Sequence, residues 1–433
     1  MRLPFFLGLL SLVSSGLAAQ LGPLDRGRAH DMVAVVAGDL RRHYFDTTFG
    51  GLDLDREFEI ADSLIDQAQT ISRLFGIIAG TVLKFQDSHT LFLPPSTTVR
   101  VRYGWDLQMV GDSCLVVGIA PGSDAAAQGL RVGDRVLTIQ GVAPTRPLLA
   151  VLDYLLYAIN PTDRVRFTVE SPAGETRELT LASRVIEEQR IVDLFSSTDL
   201  WAIVRGIDDA DELRRNRFVE VDSATLIWRF HGFDSRDAVD EGISRARRFS
   251  NLILDLRANR GGSEAVMLHL LSRLLERETV IATLLRRGQA EVKSVRPDDK
   301  RFTGRLTILI DSRSASATEI VARVVQLEER GIVIGDRSAG RVRRSRIHGH
   351  RSGTEFVVPY GISITNAEVI LRDGARLEGV GVRPDHQVLP TGENLASGRD
   401  PVMGDALRRL GYPIPVQGVA IAFPPHRLEV DSW

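Results

Sequence analysis

At 433 residues the chain exceeds the ~150 residues usual for one compact domain, so two or three domains are expected. With 43% apolar and 25% charged residues it has an ordinary globular composition, and a net charge of -2 excludes the basic excess of a nucleic-acid binder. The single cysteine, Cys114, excludes an intramolecular disulfide and, within "CLVVGIA", reads as a core thiol.

The chain opens "MRLPFFLGLLSLVSSGLAAQ": one Arg, a short apolar run, then small residues. This reads as a secretory signal peptide over residues 1–18, too short to span a membrane. "HDMVAVVAGDLRRHYF" and "EIADSLIDQAQTISRLFGIIAGTVLKF" carry apolar residues at three- and four-residue spacing, which predicts an N-terminal helical bundle ending near Phe85. "DSHT" follows, and Pro94-Pro95 closes the segment. From about Tyr103 the period shortens to that of strands. "GWDLQMVGDSCLVVGIA" alternates, "PGSDAAAQGL" offers a turn and short helix, and "RVGDRVLTIQGVAP" reads as strand-turn-strand. "DRVRFTVESPAGETRELTLAS" adds another pair. Beyond the charged stretch "DDADELRRNR", strands and helices alternate: "SATLIWRF", "RDAVDEGISRARRF", "NLILDLR", "SEAVMLHLLSRLLE", "LTILID", "SATEIVARVVQLEER", "GIVIGD". That order predicts an α/β sheet with parallel strands.

Two loops leave the carboxyl ends of buried strands, where open α/β sheets bind ligands: "DLRANRGGS" and "DSRSASATE". Gly261 and Gly262 allow backbone N–H groups to converge on one point. Ser316 sits at a strand-to-helix turn, where the Ala317 N–H and the helix dipole can stabilise an oxyanion. Ser316 also stands three residues before Glu319, the capping-box spacing, so spacing alone leaves helix capping and nucleophile both open.

"NLILDLRANRGG", "ILIDSRSASATEIVARVVQ", "GIVIGDRSAG" and "LEGVGVRPDH" resemble, in order and spacing, the motifs of the C-terminal processing (tail-specific) serine proteases. Their relatives include the tricorn protease core and the repeats of interphotoreceptor retinoid-binding protein. "YGWDLQMVGDSCLVVGIAPGSDAAAQGLRVGDRVLTIQGV" resembles a PDZ domain. The resemblance implies a multidomain α/β protein with a helical segment over 19–98, a PDZ-like β domain over 99–186, a crotonase-like ββα core over 187–415 and a tail over 416–433. It implies Ser316 as nucleophile, with oxyanion donors at Gly261, Gly262 and Ala317.

In the larger branch of that family a lysine lies twenty-five residues beyond the serine. Here that position holds Arg341, which is effectively always protonated and cannot accept a proton. Lys84, Lys293 and Lys300 are the chain's only lysines, and none lies in a matching motif. The tricorn-like branch instead uses a Ser–His pair ahead of the PDZ position and a glutamate before a "GV-P" turn. Ser88-His89 and Glu378 match that pattern. A histidine titrating near ~6.5 can take the Ser316 proton and return it to the leaving amine. Glu378 is then expected to orient the imidazole directly or through the Ser88 hydroxyl. Asp87 reads as a turn residue bonding its own backbone.

"RYGWD" occupies the PDZ carboxylate-loop position. Tyr103, Gly104 and Trp105 there are candidates for gripping a hydrophobic peptide C-terminus, although Trp105 fits a plain core role equally well. "HGH" at His348 and His350 reads as an exposed basic strand, with no acid or thiol cluster nearby to complete a metal site. The expected partners are protein or peptide substrates, with no nucleic acid, membrane span, metal or cofactor. The sequence leaves the oligomeric state open. The rival reading is a catalytically inactive peptide- or apolar-ligand-binding protein on the same fold.

Overall fold

The computed structural model describes residues 21–95, 99–187, 216–353 and 357–413. The expected signal peptide and the C-terminal tail over 416–433 lie outside these residues. Three helices come first: α1 (Pro23–His43), α2 (Leu54–Ile65) and α3 (Ile71–Leu83). Asp53 and Thr70 cap α2 and α3 by accepting the backbone N–H groups of Arg56 and Arg73. The helices bury Val36, Leu40, Phe58, Ile65, Ile78 and Val82 against one another, but the same core takes in Phe92, Tyr360, Ile362 and Ile364. The helical layer therefore packs on a sheet built largely from the far end of the chain.

That sheet joins β1 (Leu91–Leu93) to a long later strand. Between them β2 (Val99–Arg102) leads into a five-stranded antiparallel sheet: β3 (Trp105–Val110), β4 (Ser113–Ile119), β5 (Arg135–Ile139), β6 (Arg164–Glu170) and β7 (Thr176–Ala182). Two helices are interleaved, α4 (Asp124–Ala127) and α5 (Arg146–Tyr154), and β8 (Arg184–Glu187) returns to pair with β2. The expected second strand after "RVLTIQ" is only an isolated bridge from Ile139 to Val142, and the chain turns into α5 instead. Cys114 lies in this sheet's core, as its apolar neighbours predict, and burial pushes its thiol up to about 12.

The third region holds β9 (Arg217–Glu220), β10 (Thr225–Arg229), α6 (Arg236–Ala246), β11 (Asn251–Asp255), α7 (Glu264–Leu274), the hairpin β12 (Thr279–Arg286) and β13 (Gln289–Val295), β14 (Arg305–Ile310), α8 (Ala317–Leu327) and β15 (Gly331–Gly335). A long hairpin follows, β16 (Arg343–Ser352) and β17 (Val358–Leu371), then β18 (His386–Gln387), α9 (Gly392–Ala396) and α10 (Pro401–Arg409). The main sheet runs β18-β15-β14-β11-β10-β9 and is parallel except for β9. Helices α6 to α8 cover one face and α10 the other, so Leu252, Ile253 and Leu254 are all fully buried. Each such side chain contributes about 1.5–3 kcal/mol by leaving water. This two-sided burial explains the unbroken apolar runs read as inner strands.

Helix α6 closes on Trp228 through Gly242, where an added Cβ meets the indole at 2.2 Å. Gly242→Ala is expected to destabilise by about 1–3 kcal/mol through overpacking, lowering Tm by several degrees. Thermal unfolding followed by circular dichroism checks this, and an unchanged Tm contradicts the packing account.

Candidate active site

Strand β14 ends in a tight turn that carries Ser316 into α8. Ser316 has φ 57° and ψ -120°, a region costing a non-glycine residue about 1–3 kcal/mol. Three contacts hold it there. Its N–H donates to the Arg341 carbonyl at 3.0 Å and to Glu319 Oε2 at 3.0 Å. Gly261 comes so close that a Cβ on it would lie 2.7 Å from Ser316 Cβ, so only glycine fits. The Ser316 hydroxyl makes no side-chain cap bond, and the turn's order comes from Glu319 rather than from the serine side chain.

Glu319 does more than the capping box predicts. Its fully buried carboxylate also accepts Ser338 Oγ at 2.6 Å, Gly340 N–H at 2.8 Å and Arg341 N–H at 2.9 Å. Burial pushes its pKa up to about 7, opposed by these four donors, which favour the anion. Asn259, also fully buried, was not visible as a site residue in the sequence. Its Oδ1 accepts Gly261 N–H at 2.9 Å and Thr318 Oγ1 at 2.8 Å, and its carbonyl accepts Ala315 N–H. The Gly261 N–H expected at the oxyanion is therefore committed to Asn259. Gly262 and Ala317 keep N–H groups with no partner among the described residues, and they are the donors that fit the role.

The base candidate arrives on the turn between α3 and β1. Gln86 takes φ 51° and swings the chain out of the helix. His89 is then gripped on both sides of its backbone: its N–H donates to Asp87 Oδ1 at 2.9 Å and its carbonyl accepts Ser363 Oγ at 2.7 Å. Ser88 Oγ lies 2.8 Å from His89 Nδ1. Ser88 reaches Glu378 Oε1 through its backbone N–H, at 3.1 Å, and not through the hydroxyl as expected. Glu378 Oε2 accepts the Val342 N–H at 2.9 Å. No hydrogen bond joins His89 to Ser316, so the structure brings the two motifs to one locale without closing the pair.

Desolvation lowers the His89 pKa below its ordinary value; Glu378 and Asp87 oppose this, and Arg341 and Arg343 add to it. The imidazole is thus neutral at pH 7, the form a base requires. Arg341 stands where the lysine was sought and contributes a nearby cation.

Asp87, His89 and Glu378 each place a potential metal-ligating atom within 4.8 Å of the others. The carboxylates, however, are already occupied. Asp87 Oδ1 accepts His89 N–H and Thr365 Oγ1, its Oδ2 accepts Tyr44 OH and Arg343 Nη1, and Glu378 accepts two backbone N–H groups. The trio is a charge network around the imidazole. Asp87, read as a local turn residue, bonds its own turn and three distant elements as well.

Two other expectations change. His348 and His350 are half-buried, not exposed: His350 Nε2 meets Asp39 Oδ2 at 2.5 Å, and His348 stacks on His43 with ring centroids 4.3 Å apart. They dock β16 on α1. Tyr103 and Trp105 are 1% and 6% exposed inside the core of the five-stranded sheet, and the Gly104 carbonyl accepts Ala120 N–H. Both aromatic rings are thus taken up by this sheet's own core. The free edge of β3 is taken by the main sheet's side chains: Arg313 Nη2 donates to the Leu107 carbonyl at 2.6 Å and Ser312 Oγ to that of Met109.

A strained serine on a strand-to-helix turn, N–H groups without a partner beside it and a histidine held neutral are the kinds of group that serine-hydrolase chemistry draws on. Residues 225–388 match the model of peptidase family S41. The chain is 24% identical over 341 residues to carboxyl-terminal-processing peptidase 1 of Arabidopsis thaliana chloroplasts, covering 76% of this chain and 65% of that protein. It is 23% identical over 371 residues to the chloroplastic C-terminal processing peptidase of Tetradesmus obliquus, covering 81% and 76%. Among solved structures it is similar to mature CPAF, with a TM-score of 0.66 at 15% identity over 89% of this chain and 97% of that one. The photosystem II D1 C-terminal processing protease gives 0.51 at 18% identity, over 84% and 94%. Over residues 225–388 the chain is thus similar to peptidase family S41, and it spans 65% of the length of the Arabidopsis carboxyl-terminal-processing relative.

The two titrating groups predict a two-step acid limb. As pH falls through about 7 a proton enters the Glu319 site and sets an O–H against its donors; below ~6.5 His89 becomes a cation and can no longer accept a proton. The logarithm of kcat/KM is expected to fall with slope one and then slope two. A single break above 6.5 contradicts this assignment.

Proposed function

We propose that the chain is an exported serine endopeptidase in which His89, rather than a lysine, activates Ser316. The observation carrying this reading is the 2.8 Å contact between Ser88 Oγ and His89 Nδ1. If Nδ1–H donates to the Ser88 oxygen, the Nε2 lone pair is left to act as base, and the imidazole is in the productive tautomer. Glu378 supplies the negative charge that stabilises the imidazolium, acting on the ring and through the Ser88 backbone.

In this reading Ser316 Oγ attacks the peptide carbonyl carbon while His89 Nε2 takes its proton. The oxyanion is held by the Gly262 and Ala317 N–H groups. Collapse breaks the C–N bond, the amine leaves with the proton from His89, and an acyl-enzyme remains. A water, deprotonated by His89, releases it. The Ser316–His89 hydrogen bond forms on substrate binding, as catalytic contacts often tighten only in the complex. Peptide docking along β3 requires Ser312 and Arg313 to release its edge carbonyls. Export is proposed from the first eighteen residues alone. No helix among the described residues is long and apolar enough to cross a membrane.

A second reading, a binding protein without activity, draws on the open Ser316–His89 pair and on Arg341. Cleavage of an unfolded protein such as casein separates the two. The wild type should cleave it, Ser316→Ala and His89→Ala should lose about 10³-fold or more, and Arg341→Gln should stay within about tenfold. A wild type that does not cleave, or a His89→Ala enzyme that cleaves unimpaired, overturns the peptidase reading in favour of binding.

A further inference from the structure

The strongest cluster that this reading leaves without a role surrounds Asp87. Its side chain is fully buried and its carboxylate accepts four hydrogen bonds from four parts of the chain. Tyr44 OH, at the end of α1, donates at 3.1 Å; the His89 N–H at 2.9 Å; Thr365 Oγ1 of β17 at 2.8 Å; and Arg343 Nη1, opening β16, at 2.8 Å. Their sequence separations reach 278 residues, far beyond a local turn. Arg343 is itself mostly buried and sits over the Phe45 ring at 5.2 Å, so the ion pair has few other geometries open to it.

The pair spans the two halves of the site. On one side Asp87 fixes the His89 backbone. On the other, Arg343 follows Val342, whose N–H holds Glu378, and lies two residues beyond Arg341, whose carbonyl holds the Ser316 N–H. Displacing the pair moves the base turn relative to the segment leading into β16, where Val342 N–H holds the orienting glutamate and the Arg341 carbonyl anchors the nucleophile.

We propose that Asp87 is a positioning residue for the reaction, its ion pair with Arg343 setting the spacing between the His89 imidazole and Ser316. This rests on the reading of Ser316 and His89 as the reacting pair. The groups facing the imidazole are Glu378 and Asp87, which favour its cation, and Arg341 and Arg343, which oppose it. Removing one member of the buried pair therefore has a directional signature as well as a rate effect.

The test measures second-order labelling of Ser316 by a fluorophosphonate against pH, with thermal unfolding of each variant alongside. Asp87→Asn is expected to slow labelling at pH 8 by about 10²-fold and to move the lower acid break, that of His89, to lower pH. Arg343→Gln is expected to slow labelling and move the same break upward, with Arg343→Lys recovering most of the rate. The double variant should be no slower than the slower single one, because both disrupt one contact. Should Asp87→Asn fail to fold, the two Arg343 variants decide the matter. An Asp87→Asn or Arg343→Gln protein that labels within twofold of wild type with an unmoved break overturns the inference while leaving the peptidase reading intact. A slow variant whose break is unmoved also overturns it, since a merely structural role predicts that. If the wild type is unlabelled, or His89→Ala labels as fast as wild type, the underlying reading falls and this inference with it.

Discussion

The site depends on a buried carboxylate that gathers four donors from two segments of the chain. Glu319 accepts from the Ser316 backbone, from Ser338 and from the N–H groups of Gly340 and Arg341, and in doing so it ties the nucleophile turn to the loop beyond β15. Without it, the positive-φ conformation of Ser316 keeps only the Arg341 carbonyl and the close approach of Gly261, and the loop that carries Arg341 loses its anchor. An unsatisfied buried N–H costs about 1–3 kcal/mol, so several at once are enough to unmake the turn. The same loop leads directly into Val342 and Arg343, which hold Glu378 and Asp87. Order at the Ser316 turn is thereby passed to the His89 turn.

The base side is built by a different logic. Three helices pack on β1 and β17, and the turn leaving α3 is pinned to β17 through Ser363 and Thr365. Carboxylates and guanidiniums alternate around the imidazole, so neither charge state is extreme. Arginine at position 341 fits this arrangement, because its cation biases His89 toward its neutral form. The helical layer is thus part of the active-site wall, which is why its core continues into the final third of the chain.

Legibility in the sequence followed locality. Strands β10, β11, β14 and β15 were readable because burial on both faces demands unbroken apolar runs, and α6 to α8 because one face alone is buried. The burial and pairing of β16 in its hairpin with β17, and α5, were not. "HGH" reads as an exposed basic strand, yet His348 and His350 are covered by α1, a contact made between residues some 300 positions apart. Ser316, His89 and Glu378 carried motif signals. Asp87, Asn259 and Arg343 carried none, because a buried polar residue is defined by its partners, and those partners are assembled by the fold. The oxyanion pair was half legible: "RGG" marks a backbone that must come close, but only the fold reveals that Gly261 N–H is committed to Asn259.

What decides the account is the state of one imidazole. Nitrogen-15 chemical shifts of His89 in the full chain, followed from pH 8 to pH 5, report both its tautomer and its titration. The account predicts an Nδ1–H tautomer bonded to Ser88 at pH 8 and a midpoint below ~6.5. An Nε2–H tautomer, or a midpoint above that value, contradicts it.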